Sequence, residues 1–162
     1  MENNSIYQWS YFSVCYMKTN ITDQCKQSYS ILKDDCRKVK YVPGGASQCD
    51  YRHCDRTGFS TAWYRFQEPA GYKLPIAPPV LKSGLCAVCQ TAASAWIVER
   101  RDPVFGEGII GINICYSYST TECDRKGQGK ALACKDDDGE LFYLYYLPPT
   151  TNCFHAYCSL GA

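Results

Sequence analysis

Histidine is nearly absent from this sequence, with His53 and His155 its two copies. Any Ser-His-Asp or Cys-His scheme would have to use one of them, and both lie close to cysteines expected to be bridged. No Gly-x-Ser-x-Gly elbow occurs either. A glycosidase-like pair of carboxylates would meet only in the fold, but the acids crowd into turns such as Asp34-Asp35 and Asp136 to Asp138, which favours a solvent role. The expectation is that the chain is not an enzyme. Long apolar runs are missing too, since nothing approaches the ~20 residues of a membrane-spanning helix. So is an excess of charge: 17 basic residues face 16 acidic ones, which argues against nucleic acid or an anionic membrane as partner. Basic runs such as Arg37-Lys38 or Arg100-Arg101 are short enough to be solvated surface. Met1-Glu2-Asn3-Asn4 has neither the basic start nor the apolar run of a signal peptide. The chain is therefore expected to be a mature protein or a segment of a longer one.

Cysteine is what the sequence has in plenty. Twelve are spread over 162 residues: Cys15, Cys25, Cys36, Cys49, Cys54, Cys86, Cys89, Cys115, Cys123, Cys134, Cys153 and Cys158. Their even number and wide spread predict six bridges and an oxidising compartment, hence a secreted or cell-surface protein. The connectivity cannot be read from spacing. Two motifs compete with the bridges. Cys86-Ala-Val-Cys89 has the spacing of a redox or zinc half-site, for which His53 with Cys49 or Cys54, or His155 with Cys153 and Cys158, would complete the ligands. Lys135-Asp-Asp-Asp-Gly-Glu140 invites a calcium reading, but its acids are consecutive rather than alternating, as suits a solvated hairpin turn. The expectation is no metal and no cofactor.

The strand signals centre on Ser60 to Pro75, STAWYRFQEPAGYKLP. Trp63, Tyr64 and Phe66 form a short aromatic strand that Pro69 and Gly71 end. On alternation Tyr64 and Phe66 share one face, Trp63 and Arg65 the other. Arg65 must then lay its stem over the tryptophan or find a charged partner. Ile109 to Tyr118 alternates well, with Ile110, Ile112, Ile114, Tyr116 and Tyr118 on one face. Lys130 to Cys134, the turn at 136–140 and Leu141 to Leu147 read as a hairpin. From Leu85 to Val98, Leu85, Val88, Cys89, Ala92 and Trp96 match helical spacing, and Pro75 to Gly84 reads as a surface loop. From Cys25 to Cys54 the chain is polar and turn-rich, with Tyr29, Ile31 and Leu32 expected inward and bridges holding the rest. The fold class that follows is all-β: a small disulfide-stapled β-sandwich with long loops.

The order of these pieces carries a family resemblance. WYRF, with Ala70-Gly71 five residues beyond the arginine, precedes CQTAASAW (Cys89 to Trp96), GEGII (Gly106 to Ile110), Cys115, Cys134, YLYYL (Tyr143 to Leu147) and CFHAYC (Cys153 to Cys158). This resembles the cysteine-rich decoupling module of uromodulin and the pancreatic zymogen-granule membrane glycoprotein, over about Cys25 to Cys158. The resemblance implies an extracellular, disulfide-stapled, non-catalytic module, which in its best-known members presents sugars that capture bacterial fimbrial adhesins. It also implies, against the helical spacing, that Leu85 to Val98 is extended chain ending at a buried Trp96. By the same resemblance Cys25, Cys54, Cys86, Cys89, Cys115, Cys123, Cys134, Cys153 and Cys158 match family cysteines, while Cys15, Cys36 and Cys49 are additional. The family's adjacent cysteine pair is here a lone Cys123 followed by Asp124, so part of the bridging is expected to differ.

The chain then divides into an N-terminal strand-like arm, 1–24, and the module, 25–162. IYQWSYFSVCYM (Ile6 to Met17) reads as a strand that either completes its own sheet or pairs with another subunit through Tyr7, Trp9, Tyr11 and Phe12. Asn20-Ile-Thr and Asn3-Asn-Ser fit the N-glycosylation pattern. The function expected is that of an extracellular structural or adhesion subunit carrying glycans and associating with itself or other extracellular proteins. The alternative is a secreted glycan-binding module whose exposed aromatics stack on sugar rings.

Overall fold

A computed structural model describes residues 21–39, 54–78, 89, 91, 93–117, 123–153 and 155–161. The arm residues Tyr7, Trp9, Tyr11 and Phe12, both sequons at Asn3 and Asn20, and Cys15, Cys49, Cys86 and His53 lie outside the described residues. Residues 21–24, assigned to the arm from sequence, fall in a short helix.

Helix α1 (Ile21–Cys25) leads into β1 (Ser30–Leu32), and β2 (Ala62–Phe66), β3 (Ala93–Ile97), β4 (Ile110–Ser117), β5 (Arg125–Lys135), β6 (Leu141–Leu147) and β7 (His155–Ala156) follow. The described strands form one sheet in the order β1-β2-β6-β5-β4-β3-β7. Its centre is antiparallel, and both outer pairs, β1 with β2 and β3 with β7, are parallel. The all-β, disulfide-stapled class stands, but two facing sheets are not what these strands make. A single curled sheet closes over its own core. The physical reason lies in the connections: among the described residues, segments between strands supply the covering layer.

Alternation sorts the side chains onto two faces. On the inner face Tyr64 and Phe66, Ile112 and Ile114, Ala131 and Ala133, and Tyr145 and Leu147 join Leu74 and Tyr157 in the main core. Phe59 stacks on Tyr64 at 4.3 Å and meets Tyr157 at 5.4 Å, so the loop after Cys54 forms part of the lid. The neighbouring residues Leu74 and Pro75 lie across the same face: Leu74 N donates to the Tyr145 hydroxyl at 3.3 Å, and Ile97 N donates to the Pro75 carbonyl at 2.8 Å. The outer face carries a smaller cluster of Leu132, Cys134, Phe142 and Leu144, packed by Cys25, Tyr29 and Trp63.

The C-terminal segment is laced between two others. Val39 N donates to Ser159 O at 2.7 Å, Tyr72 N to Leu160 O at 2.9 Å, and Leu160 N to Lys73 O at 2.7 Å. Gly71, with φ +102°, sits where that segment passes, and a Cβ there would collide with the Leu160 carbonyl. Of the residues expected inward before Cys54, Leu32 is buried and Tyr29 half-buried, but Ile31 is 51% exposed. A three-residue edge strand buries one face, and Ile31 occupies the other.

Candidate functional site

Among the described residues four bridges occur: Cys25–Cys134 and Cys115–Cys123 tie helix and loop to strands β5 and β4, and Cys54–Cys153 and Cys89–Cys158 join loop to loop. Eight of the twelve predicted cysteines are placed by them. Cys36 is a correction to the expectation that every sulfur pairs, because its thiol is free. It sits in a 3-10 turn beside Asp34 and Asp35, and burial, followed by the charge of Asp34, raises its pKa. That environment disfavours the reactive thiolate.

The bridges use up most of the sulfur that a zinc site would have drawn on. Cys89 is joined to Cys158 and Cys54 to Cys153. Among the described residues, no three His, Cys, Asp or Glu side chains gather as a metal site. His155 is fully buried, stacked on Tyr116 at 4.8 Å, with its Nδ1 3.0 Å from the Thr151 hydroxyl. Burial, then the nearby Arg125 charge, lowers its pKa, so it is a neutral packing element near pH 7. The acidic run at 136–140 is the β5–β6 turn: Asp136 Oδ1 accepts Glu140 N at 2.9 Å and Gly139 takes φ +83°.

Of the aromatic anchors, Tyr64 and Phe66 are in the main core and Trp63 half-buried on the outer face, 5.5 Å from Tyr146. Trp96 is buried and its indole N–H donates to Ser117 Oγ at 3.2 Å. Arg65 takes both courses its position allows, but with other partners. Its guanidinium lies 3.9 Å from the centre of the Phe142 ring, not over Trp63, and reaches Asp136 at 3.8 Å.

Arg65 also borders a cavity of about 460 Å³ on the outer face. Phe142 of β6 and Tyr29, 6.4 Å apart, and Phe105 supply its aromatic surface; Lys26 and Lys135 supply the other cations. Lys135 Nζ stands 5.2 Å from the Phe105 ring centre. Phe105 belongs to the β3–β4 loop, which a bidentate Arg101–Glu107 pair holds at 2.9 and 2.7 Å. Glu107 Oε2 also accepts Val104 N at 3.2 Å, and the Arg101 hydrogen bond, with that N–H, holds the Glu107 carboxyl below the usual carboxylate range. Phe105 is thus presented, 45% exposed, on a fixed loop. Sequence marked Arg65 as a cation in need of a partner and Tyr29 as an inward residue, but gave no reason to join them. Phe105 carries no periodic signal at all, because the fold alone brings its loop to the hairpin.

Sheet, bridges and loop cover define a disulfide-stapled all-β module. The family model of the uromodulin-like cysteine-rich domain matches residues 64–159, more than half of the chain, and the chain belongs to that family. The match begins within β2 and runs through β7; α1, β1, and the Cys25 and Cys54 ends of two bridges lie before its start. The domain is typical of extracellular proteins. Among the described residues no helix is long and apolar enough to cross a membrane.

Proposed function

We propose that this chain is a non-enzymatic extracellular structural or adhesion module, a stiff platform that acts by shape, by the glycans it carries and by association with itself or with other extracellular proteins. The observation that supports this reading most is the span of the bridges. Cys25–Cys134 and Cys54–Cys153 join residues 109 and 99 positions apart, so segments with little apolar surface are fixed to distant parts of the fold. Stiffness of that kind suits a subunit that must hold its shape outside the cell, without a chaperone and in an oxidising medium. The proposed joining element is the strand-like run from Ile6 to Met17, which would add to a sheet edge of a neighbouring subunit. Asn20, and second Asn3, are the proposed glycan carriers.

Two measurements on the secreted protein test this. Light scattering of the full chain against a variant lacking residues 1–17 should show assembly in the first and its loss in the second; equal assembly by both defeats the arm as joint. Thiol titration of the untreated native protein should find few reactive sulfhydryls. Several accessible ones would overturn the stapled extracellular scaffold.

A further inference from the structure

We propose that the cavity on the outer face is a binding site for a carboxylate-bearing sugar, a role beyond that of a scaffold displaying its own glycans. The side chain of Arg65 is 21% exposed, one face is covered by Phe142, and its ion-pair partner Asp136 stands at 3.8 Å, beyond hydrogen-bond reach. Among the described residues none of its N–H groups is given to an acceptor. A guanidinium carries five donors in a rigid plane, and the group that matches that plane is a carboxylate. An arginine held by stacking, shielded from most water and still short of acceptors is prepared for an anion rather than satisfied by the protein.

The remaining lining narrows the anion. Lys135 and Lys26, the latter also 3.8 Å from Asp23, join Arg65 against Asp136 and Asp137, three cations to two acids in the lining. That balance favours a ligand with one negative charge. The further charges of a polyanion would find no additional cation there and would face Asp136 and Asp137, whose carboxylate oxygens can accept from hydroxyl groups. Phe142, Phe105 and Tyr29 add flat hydrocarbon faces, against which the C–H faces of a pyranose ring pack while its hydroxyls turn to the charged residues. An extended peptide fits less well. It would need a row of unpaired backbone groups, and those of β2, β5 and β6 are spent on one another inside the sheet. The volume, about 460 Å³, is within the usual range for small-ligand sites. The Arg101–Glu107 clamp fixes Phe105 before any ligand arrives, so little ordering is left to binding.

The test is a heteronuclear NMR titration of the full chain with four probes: the methyl glycosides of N-acetylneuraminic acid and of glucuronic acid, neutral methyl glucoside, and an acetylated Asp-Glu dipeptide. The expected result is saturable binding of at least one acidic sugar, with shifts at Tyr29, Arg65, Phe105 and Phe142 and weakening as salt is raised. The neutral sugar should bind weaker by about tenfold or more, the worth of one hydrogen bond to a charged group. Arg65→Gln should cost the acidic sugar about the same factor. Because that change could loosen β2, Phe105→Ala and Lys135→Gln, both at exposed positions, should each weaken binding several-fold with the spectrum of the core unchanged. Equal binding of the neutral sugar overturns the proposal, as do tighter binding of the dipeptide, shifts confined to another surface, or no saturation by either acidic sugar at tens of millimolar. None of those results touches the scaffold role, which is read from assembly and thiol content instead.

Discussion

Arg37 and Asp55 meet fork to fork, Nη1 2.8 Å from Oδ2 and Nη2 2.7 Å from Oδ1, with both residues buried. The pair is also a junction. Asp55 Oδ2 accepts Tyr157 N at 2.8 Å, the Asp55 carbonyl accepts Thr150 N at 2.9 Å, and Arg37 Nη1 donates to Tyr157 O at 3.3 Å. Three segments far apart in sequence are thereby held together, two of them joined also by the Cys54–Cys153 bridge.

Asp55→Ala should therefore cost about 3–5 kcal/mol, because it leaves a guanidinium buried without its counter-charge and the Tyr157 N–H without an acceptor. Asp55→Asn keeps an acceptor and should cost less. Urea unfolding under non-reducing conditions measures both, and a loss under ~1 kcal/mol for Asp55→Ala would show that water reaches the pair.

The bridges should differ in worth according to the loops they close. Replacing both Cys54 and Cys153 by alanine opens a span of 99 residues, and the chain-entropy account predicts a loss of about 4–5 kcal/mol. Removing Cys115–Cys123, a span of 8, should cost no more than about 3 kcal/mol. Equal losses would point to native-state packing around the sulfurs as the source of the effect. Denaturant melts of the two double variants make the comparison.

Gly129 faces the backbone of the neighbouring strand so closely that an added Cβ would stand 2.7 Å from Tyr146 O and 3.0 Å from Ile114 Cδ1. Gly129→Ala should destabilise by about 1–3 kcal/mol through overpacking. Gly127→Ala, whose Cβ would meet the Tyr116 ring at 3.3 Å, should cost less, since a ring edge can give way. Thermal melts of the two variants rank them.

Those glycines also explain where the sequence could and could not be read. The β6 strand was legible to the residue: Leu141 to Leu147 holds no glycine or proline and is apolar on both faces, as a strand covered on both sides must be. Its partner β5 runs from Arg125 to Lys135, but the strand signal starts only at Lys130. Gly127 and Gly129 look like loop residues when the large side chains they make room for are not in view. Helix α1 and strand β1 left no periodic signal, being 5 and 3 residues long and held by Cys25–Cys134 and by pairing with β2. The described strands make one sheet where two were expected for a related reason, because alternation reports that a face is covered and not what covers it. In the cavity, alternation put Arg65 beside Trp63 on the outer face, but the Phe142 ring it stacks on is 77 positions away in the chain.

Three phenols are kept from ionising by the core, and alkaline titration should expose them. Tyr157 O–H donates to Pro148 O at 2.8 Å, which leaves its oxygen to accept from Tyr116 at 2.6 Å. Burial pushes Tyr116 up to about 12, and burial together with the neighbouring Tyr116 carries Tyr157 higher still. Burial likewise raises Tyr145 well above 10.0, more than the Leu74 N–H offsets. A phenol whose folded pKa exceeds its unfolded value gives stability that is complete below about pH 10 and is lost as pH rises through the folded value. Stability should thus fall above about pH 10, where the unfolded chain sheds these protons and the native one keeps them. Ultraviolet titration of the native protein to about pH 11 should leave these three tyrosines protonated, and the same titration in urea should ionise them near the ordinary value of about 10. Tyr157→Phe, which orphans the Pro148 carbonyl and the Tyr116 hydroxyl, should cost about 1–3 kcal/mol at neutral pH. Native and unfolded titration curves that coincide would mean that solvent enters between the sheet and its loop cover.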